Sequence, residues 1–118
     1  MGIEKRKFPR ANISCKISTV FGERLLVFNC HTENIGEGGA GVTLEEKLNI
    51  STIVDIELFL NKEIPIRCKG KIVWSSEMKP VGISPRLFNT GIEFIGIDDY
   101  SREEIIRLVN SFLAQARG

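Results

Sequence analysis

The stretch Asn34-Ile35-Gly36-Glu37-Gly38-Gly39-Ala40-Gly41-Val42-Thr43-Leu44 decides between two folds. Gly36, Gly38 and Gly41 spell G-x-G-x-x-G, the pattern of a dinucleotide-binding turn. That turn needs a helix directly behind the glycines and a parallel βαβ unit around them. Val42-Thr43-Leu44 follows instead, and it is strand-like. No strand–helix alternation surrounds it, so the Rossmann assignment is rejected. No Lys-Ser or Lys-Thr pair closes the glycines either, which removes a phosphate-binding P-loop. What remains is a turn between two strands, where glycines let the backbone bend sharply and approach other groups closely.

The flanks agree. Residues 12–21 alternate, with Ile13, Cys15 and Ile17 on one side and Asn12, Ser14, Lys16 and Ser18 on the other. Gly22-Glu23 can turn the chain into residues 24–32, where Leu26, Phe28 and Cys30 alternate with Asn29 and His31. Residues 42–44 resume as a short strand. Residues 52–60 place Val54, Ile56, Leu58 and Leu60 against Asp55 and Glu57. Asn61-Lys62-Glu63 predicts a hairpin turn into residues 64–74, where Ile66, Cys68, Ile72 and Trp74 face one way and Arg67, Lys69 and Lys71 the other. A last strand covers 90–97, with Ile92 and Phe94 inward. The period then changes: Ile105, Leu108, Val109 and Phe112 follow helical spacing. Ser101 and Glu104 have the spacing of a capping box, and Asp98 and Asp99 suit the positive end of a helix dipole. The pattern predicts a mainly β domain, a small six-stranded antiparallel barrel with one C-terminal helix over its open end or side. The expected division is a flexible basic arm over 1–11, a barrel over 12–97 and a helix over 98–115, all in one domain of 118 residues.

Composition excludes several functions. A net charge of +1 produces no global field toward DNA or a membrane, so electrostatic recognition has to be local. The local bias lies in the arm, where Lys5, Arg6, Lys7 and Arg10 face only Glu4. Apolar runs fall short of the ~20 residues of a membrane helix, and no apolar stretch follows the basic start as in a signal peptide. Membrane insertion and DNA binding are not expected. Cys15, Cys30 and Cys68 are odd in number and widely spaced, which argues for a reducing, cytoplasmic setting and for small inward hydrophobes. His31 is the single histidine, so a multi-histidine metal site is excluded, and no Ser/His/Asp or Cys/His set is present. No catalysis, metal or cofactor is expected. Single-stranded nucleic acid would want exposed aromatics on strands. The seven Phe, one Tyr and one Trp fall mostly at inward positions, and Arg67, Lys69 and Lys71 read as a solvated barrel face.

Two arginines, Arg6 and Arg10, stand four apart on the arm, ahead of Asn34 and Gly39 on the glycine turn. An arginine fork can grip a phosphate or the O6/N7 edge of a guanine. Taken together, these residues resemble the PilZ domain family of bacterial cyclic di-GMP receptors. The family carries R-x-x-x-R on an N-terminal arm, then D/N-x-S-x-x-G. Arg6 and Arg10 match the first motif. Asn34 and Gly39 match the ends of the second, and Gly36 stands at the family's serine. Lys71-Ile72-Val73-Trp74 resembles the tryptophan-ended fifth strand, and Gly91-Ile92-Glu93-Phe94 resembles the sixth.

The resemblance implies a cytoplasmic, non-enzymatic receptor that binds cyclic di-GMP, changes conformation and regulates a downstream protein partner in motility, secretion or biofilm formation. It implies that Arg6 and Arg10 grip guanine edges and phosphates, that Asn34 hydrogen-bonds a guanine, and that Gly36 and Gly39 permit close backbone approach. Lys5 and Lys7 supply long-range attraction. Trp74 has two readings: a ring that stacks on guanine at the barrel rim, or a residue that packs in the core or rim. The glycine at the serine position keeps a second function open, a PilZ-like adaptor that binds a protein without nucleotide.

Overall fold

Alternation of apolar and polar side chains does what it should in a small β protein: it gives each strand one face to bury and one to expose. The computed structural model describes residues 12–60, 64–79, 82 and 85–117. Six strands run in chain order, β1 (Ser14–Phe21), β2 (Arg24–Ile35), β3 (Gly39–Leu44), β4 (Ile53–Leu58), β5 (Ile66–Glu77) and β6 (Phe88–Ile95), followed by one helix, α1 (Asp99–Arg117). Every neighbouring pair is antiparallel, and the order β1-β2-β3-β6-β5-β4 closes through β4 onto β1. The barrel predicted from the alternation is the barrel observed. Closure removes the open edges of a flat sheet, which explains how such short strands form a stable unit.

The β1–β2 hairpin shows how local chemistry sets register. Phe21 pairs with Arg24, leaving Gly22-Glu23 as a two-residue loop. Gly22 takes a φ of 65° and Glu23 does not enter the left-handed region, as in a type II′ turn with glycine first. The expected turn at 61–63 lies outside the described residues.

The core is aliphatic. Ile17, Ile35, Leu44, Val54, Leu58 and Ile72 are almost completely buried inside the barrel. Ile105 of α1 is also fully buried, and Leu108 and Val109 pack against the same core. The helix thus covers apolar surface as its periodicity predicts; the side chain of Phe112 lies outside the described residues. Its cap differs from the sequence expectation. Asp98, not Ser101, is the capping residue: its Oδ1 accepts the Ser101 backbone N–H at 2.6 Å. The helix starts three residues earlier than a Ser101 cap requires, so Ser101 and Glu104 lie inside it, both buried.

Two irregularities reset which side chains face outward. β2 shifts register between Thr32 and Asn34, and β5 shifts between Ile72 and Trp74. Each shift inserts one extra residue, Glu33 and Val73 respectively, so the alternation behind it inverts. Asn34 then faces out while Ile35 is buried. On β5 the expectation that Trp74 shares the inward face of Ile66, Cys68 and Ile72 is overturned. Ile72 is fully buried, whereas Trp74 is 46% exposed. β3 also begins earlier than expected, at Gly39 within the glycine cluster, and β6 begins at Phe88.

Candidate functional site

The two bulges bring residues from four strands into one row. Asn34 of β2 is the partner of Gly41 on β3, Gly41 of Gly91 on β6, and Gly91 of Trp74 on β5. All four sit on the outer surface of the barrel. Cross-strand partners at such spacing touch directly. The two inner members of the row are glycines, and each makes room for its neighbour. A Cβ on Gly41 would stand 3.0 Å from Asn34 Oδ1 and 3.1 Å from its Nδ2. A Cβ on Gly91 would fall inside the Trp74 indole, against Nε1, Cε2 and Cδ1. The amide lies over one glycine and the indole over the other.

The result is a shallow open cleft of about 280 Å³. Glu33 and Asn34 line one side, Trp74 and Met78 the other, with Gly41, Thr43 and Asn89 between them. The Thr43 hydroxyl bridges the floor, within hydrogen-bond reach of Asn89 Oδ1 at 3.2 Å and Glu33 Oε1 at 3.4 Å. The chemistry offered is therefore an aromatic face beside amides, a hydroxyl and one carboxylate. Among the described lining residues, Glu33 alone is charged. A flat heteroaromatic ring with hydrogen-bonding edges suits these groups. Phosphate charge requires cations from elsewhere.

The glycine turn stands at the end of this row. Gly36 N–H donates to the Gly39 carbonyl at 2.9 Å, closing a tight turn around Glu37 and Gly38. Gly39 is needed there for space: a Cβ would collide with the Ile92 carbonyl oxygen of β6. The adjacent Gly38 carbonyl accepts the Phe94 N–H at 2.9 Å. Gly36 and Gly39 hold the hairpin that carries Asn34 and do not themselves line the cleft. Arg6 and Arg10 lie outside the described residues, as do Lys5 and Lys7.

Gly41, Gly91, Thr43, Met78 and Asn89 were not singled out as site residues by sequence reasoning. Gly41 was legible only as the last glycine of the false Rossmann pattern, and Gly91 as part of a family-like strand. Their common face appears once the barrel is closed. Among the described aromatics, Phe28, Phe88 and Phe94 lie inward as expected, whereas Phe21, Phe59, Trp74 and Tyr100 are exposed. These last four sit on the β1 tip, beyond β4, on β5 and on α1, and of these only Trp74 lines the cleft. Arg67 and Lys69 are exposed and ion-paired across β4–β5, Arg67 Nε to Glu57 at 3.4 Å and Lys69 Nζ to Asp55 at 2.9 Å, as a solvated face would be.

Comparison with solved structures finds the same architecture. The PilZ domain of YcgR from Escherichia coli, solved with c-di-GMP, superposes with a TM-score of 0.68 at 16% identity, covering 97% of this chain and 95% of that one. MrkH from K. pneumonia, in its c-di-GMP complex, gives 0.72 at 11% identity, covering 98% of this chain and 55% of its own. The Bacillus subtilis inhibitor of motility, MotI/DgrA, gives 0.68 at 15%, covering 96% and 53%. This chain spans about half the length of the latter two proteins. At such identities the likeness is one of fold. No curated protein matches the sequence. The PilZ domain family model matches residues 4–111, nearly the whole chain and both motif regions. With its closed six-stranded barrel and terminal helix, this chain belongs to the PilZ domain family.

Proposed function

We propose that this domain is a non-catalytic cytoplasmic receptor for cyclic di-GMP, with the ligand held against the outer face of β2, β3, β6 and β5. The observation that carries the proposal is the row Asn34–Gly41–Gly91–Trp74, which sets an amide and an exposed indole on either side of a glycine floor. Trp74 stacks on a guanine, and Asn34 hydrogen-bonds a base edge. Arg6 and Arg10 supply the charge the described cleft lacks, gripping phosphates and guanine O6/N7 with bidentate contacts. Folding of the arm over the ligand then presents a changed surface to a downstream protein in motility, secretion or biofilm control. The c-di-GMP complexes of the similar YcgR and MrkH proteins support this choice of ligand.

Calorimetric titration with cyclic di-GMP tests it. Saturable binding is expected for the intact chain and is lost in Arg6→Ala and Arg10→Ala. Tight binding that survives both substitutions sinks the arginine assignment. A second reading, a PilZ-like adaptor that binds protein without nucleotide, is favoured by one observation: Gly36 replaces the family serine. Loss of one hydroxyl hydrogen bond costs about 0.5–1.5 kcal/mol, roughly three- to tenfold in affinity. If high micromolar cyclic di-GMP moves neither the melting temperature nor the NMR spectrum, the adaptor reading prevails.

A further inference from the structure

Cys15 of β1 and Cys30 of β2 are direct cross-strand partners, and their sulfurs stand 3.3 Å apart. Thr32 N–H donates to the Ile13 carbonyl at 2.9 Å, so the two-residue alternation of the ladder makes 13/32, 15/30 and 17/28 hydrogen-bonded pairs. Such pairs have Cα atoms ~5.5 Å apart, inside the roughly 4.4–6.8 Å range that a disulfide bridges. The two sulfurs have to close from 3.3 Å to the ~2.05 Å of a disulfide.

Access is one-sided. Cys15 is buried at 3% exposure. Cys30 is half-buried, because β3 pairs with β2 only from Thr32 onward and leaves Cys30 beside an open cleft of about 560 Å³. Asn29, His31, Leu44 and Glu45 line the same cleft, so Cys30 is the member of the pair that borders solvent. The third thiol makes an internal control. Burial, with the Asp98 carboxylate, pushes the Cys68 thiol up to about 11, so it stays protonated and unreactive. Cys30 moves the other way, because the hydrogen bond it shares with Cys15 outweighs the opposing effect of its burial.

We propose that Cys15 and Cys30 are a reversible oxidation site that closes to an intrachain disulfide in the presence of a hydroperoxide. The Cys30 thiolate attacks the peroxide, breaking the O–O bond, releasing water after protonation and leaving a sulfenic acid. Cys15 sulfur attacks that sulfur and displaces hydroxide, which leaves as water with the Cys15 proton. Two thiols and one hydrogen peroxide become one disulfide and two waters. A dithiol reductant reverses the change. The inference is independent of the nucleotide reading.

The test is peptide mapping of the intact protein after graded hydrogen peroxide, alkylation of free thiols and trypsin. The expected product joins peptides 11–16 and 25–47, two of the three thiols disappear together, Cys68 remains alkylated, and dithiothreitol restores all three. The Cys68→Ala variant is expected to give the same link at the same peroxide dose. Links to Cys68, links between chains, or free Cys15 and Cys30 at a dose that consumes Cys68 overturn the proposal.

Discussion

At the scale of single residues, the cleft depends on two absent side chains. The Trp74 indole occupies the volume where a Gly91 Cβ would stand. Gly91→Ala is expected to push the ring off the sheet, costing about 1–3 kcal/mol if it is treated as overpacking. The blue or red shift of the single tryptophan's fluorescence, together with a lowered melting temperature, checks this. An unchanged spectrum contradicts it. Trp74→Ala removes the ring itself. A stacked base is worth about 1–3 kcal/mol, so cyclic di-GMP affinity is expected to fall roughly 5- to 150-fold while the fold survives. A calorimetric Kd equal to that of the parent chain removes Trp74 from the site. The bulge that turns Trp74 outward also turns Ser75 inward, where its Oγ is buried with no hydrogen-bond partner among the described residues. Unpaired buried hydroxyls destabilise, so Ser75→Ala is expected to leave stability unchanged or raise it by about 1 kcal/mol in urea unfolding. A clear loss of stability points to a partner for that hydroxyl.

At the scale of elements, the ends of strands and helix carry most of the information that alternation lacks. Ile53–Leu58 and the first half of β5 were legible because a buried face with period two tolerates no slip. The bulges at Glu33 and Val73 were not, because an inserted residue leaves no mark in a single sequence beyond a break in alternation. The same holds for the helix cap, where Asp98 and Ser101 both have the right chemistry and only the geometry chooses. The backbone N–H of Ser101, followed by its side chain, holds the Asp98 carboxyl below the usual carboxylate range. A folded value below the unfolded one means that the cap contributes stability above the ordinary pKa, ~3.9. That contribution fades as pH falls through the lower, folded value. Asp98→Asn keeps an acceptor and cannot titrate. Its melting temperature is expected to decline less steeply than the parent's between about pH 5 and pH 2. Parallel curves for the two proteins exclude the carboxylate as a source of acid sensitivity.

At the scale of the whole molecule, the proposed function divides recognition between the described cleft and the basic segment over residues 1–11. Glu33 is the single charged group among the described lining residues, and the proposal assigns attraction for a dianionic ligand to Arg6 and Arg10. Removal of residues 1–11 is expected to abolish cyclic di-GMP binding while the remaining chain still melts cooperatively. Affinity of the intact chain is expected to weaken as salt rises, because partly exposed charge pairs are screened over a Debye length of ~10 Å at 0.1 M. Salt-independent binding by the shortened chain contradicts this division. The sequence alone determined the class of the fold. Period-two patterns with turn residues at short intervals permit little but a small antiparallel barrel, and a β-prone tripeptide behind the glycines rules out a helix there. It also placed the arginine pair, Asn34 and the glycine turn in order along the chain. Only the tertiary structure decided which side chains share a surface. Residues 34, 41, 74 and 91 become neighbours because β3 pairs with β6 and β6 with β5, and because two bulges invert the alternation at the points where Asn34 and Trp74 emerge. Strand pairing between distant segments is set by the closed packing of the whole barrel, and no local pattern encodes it.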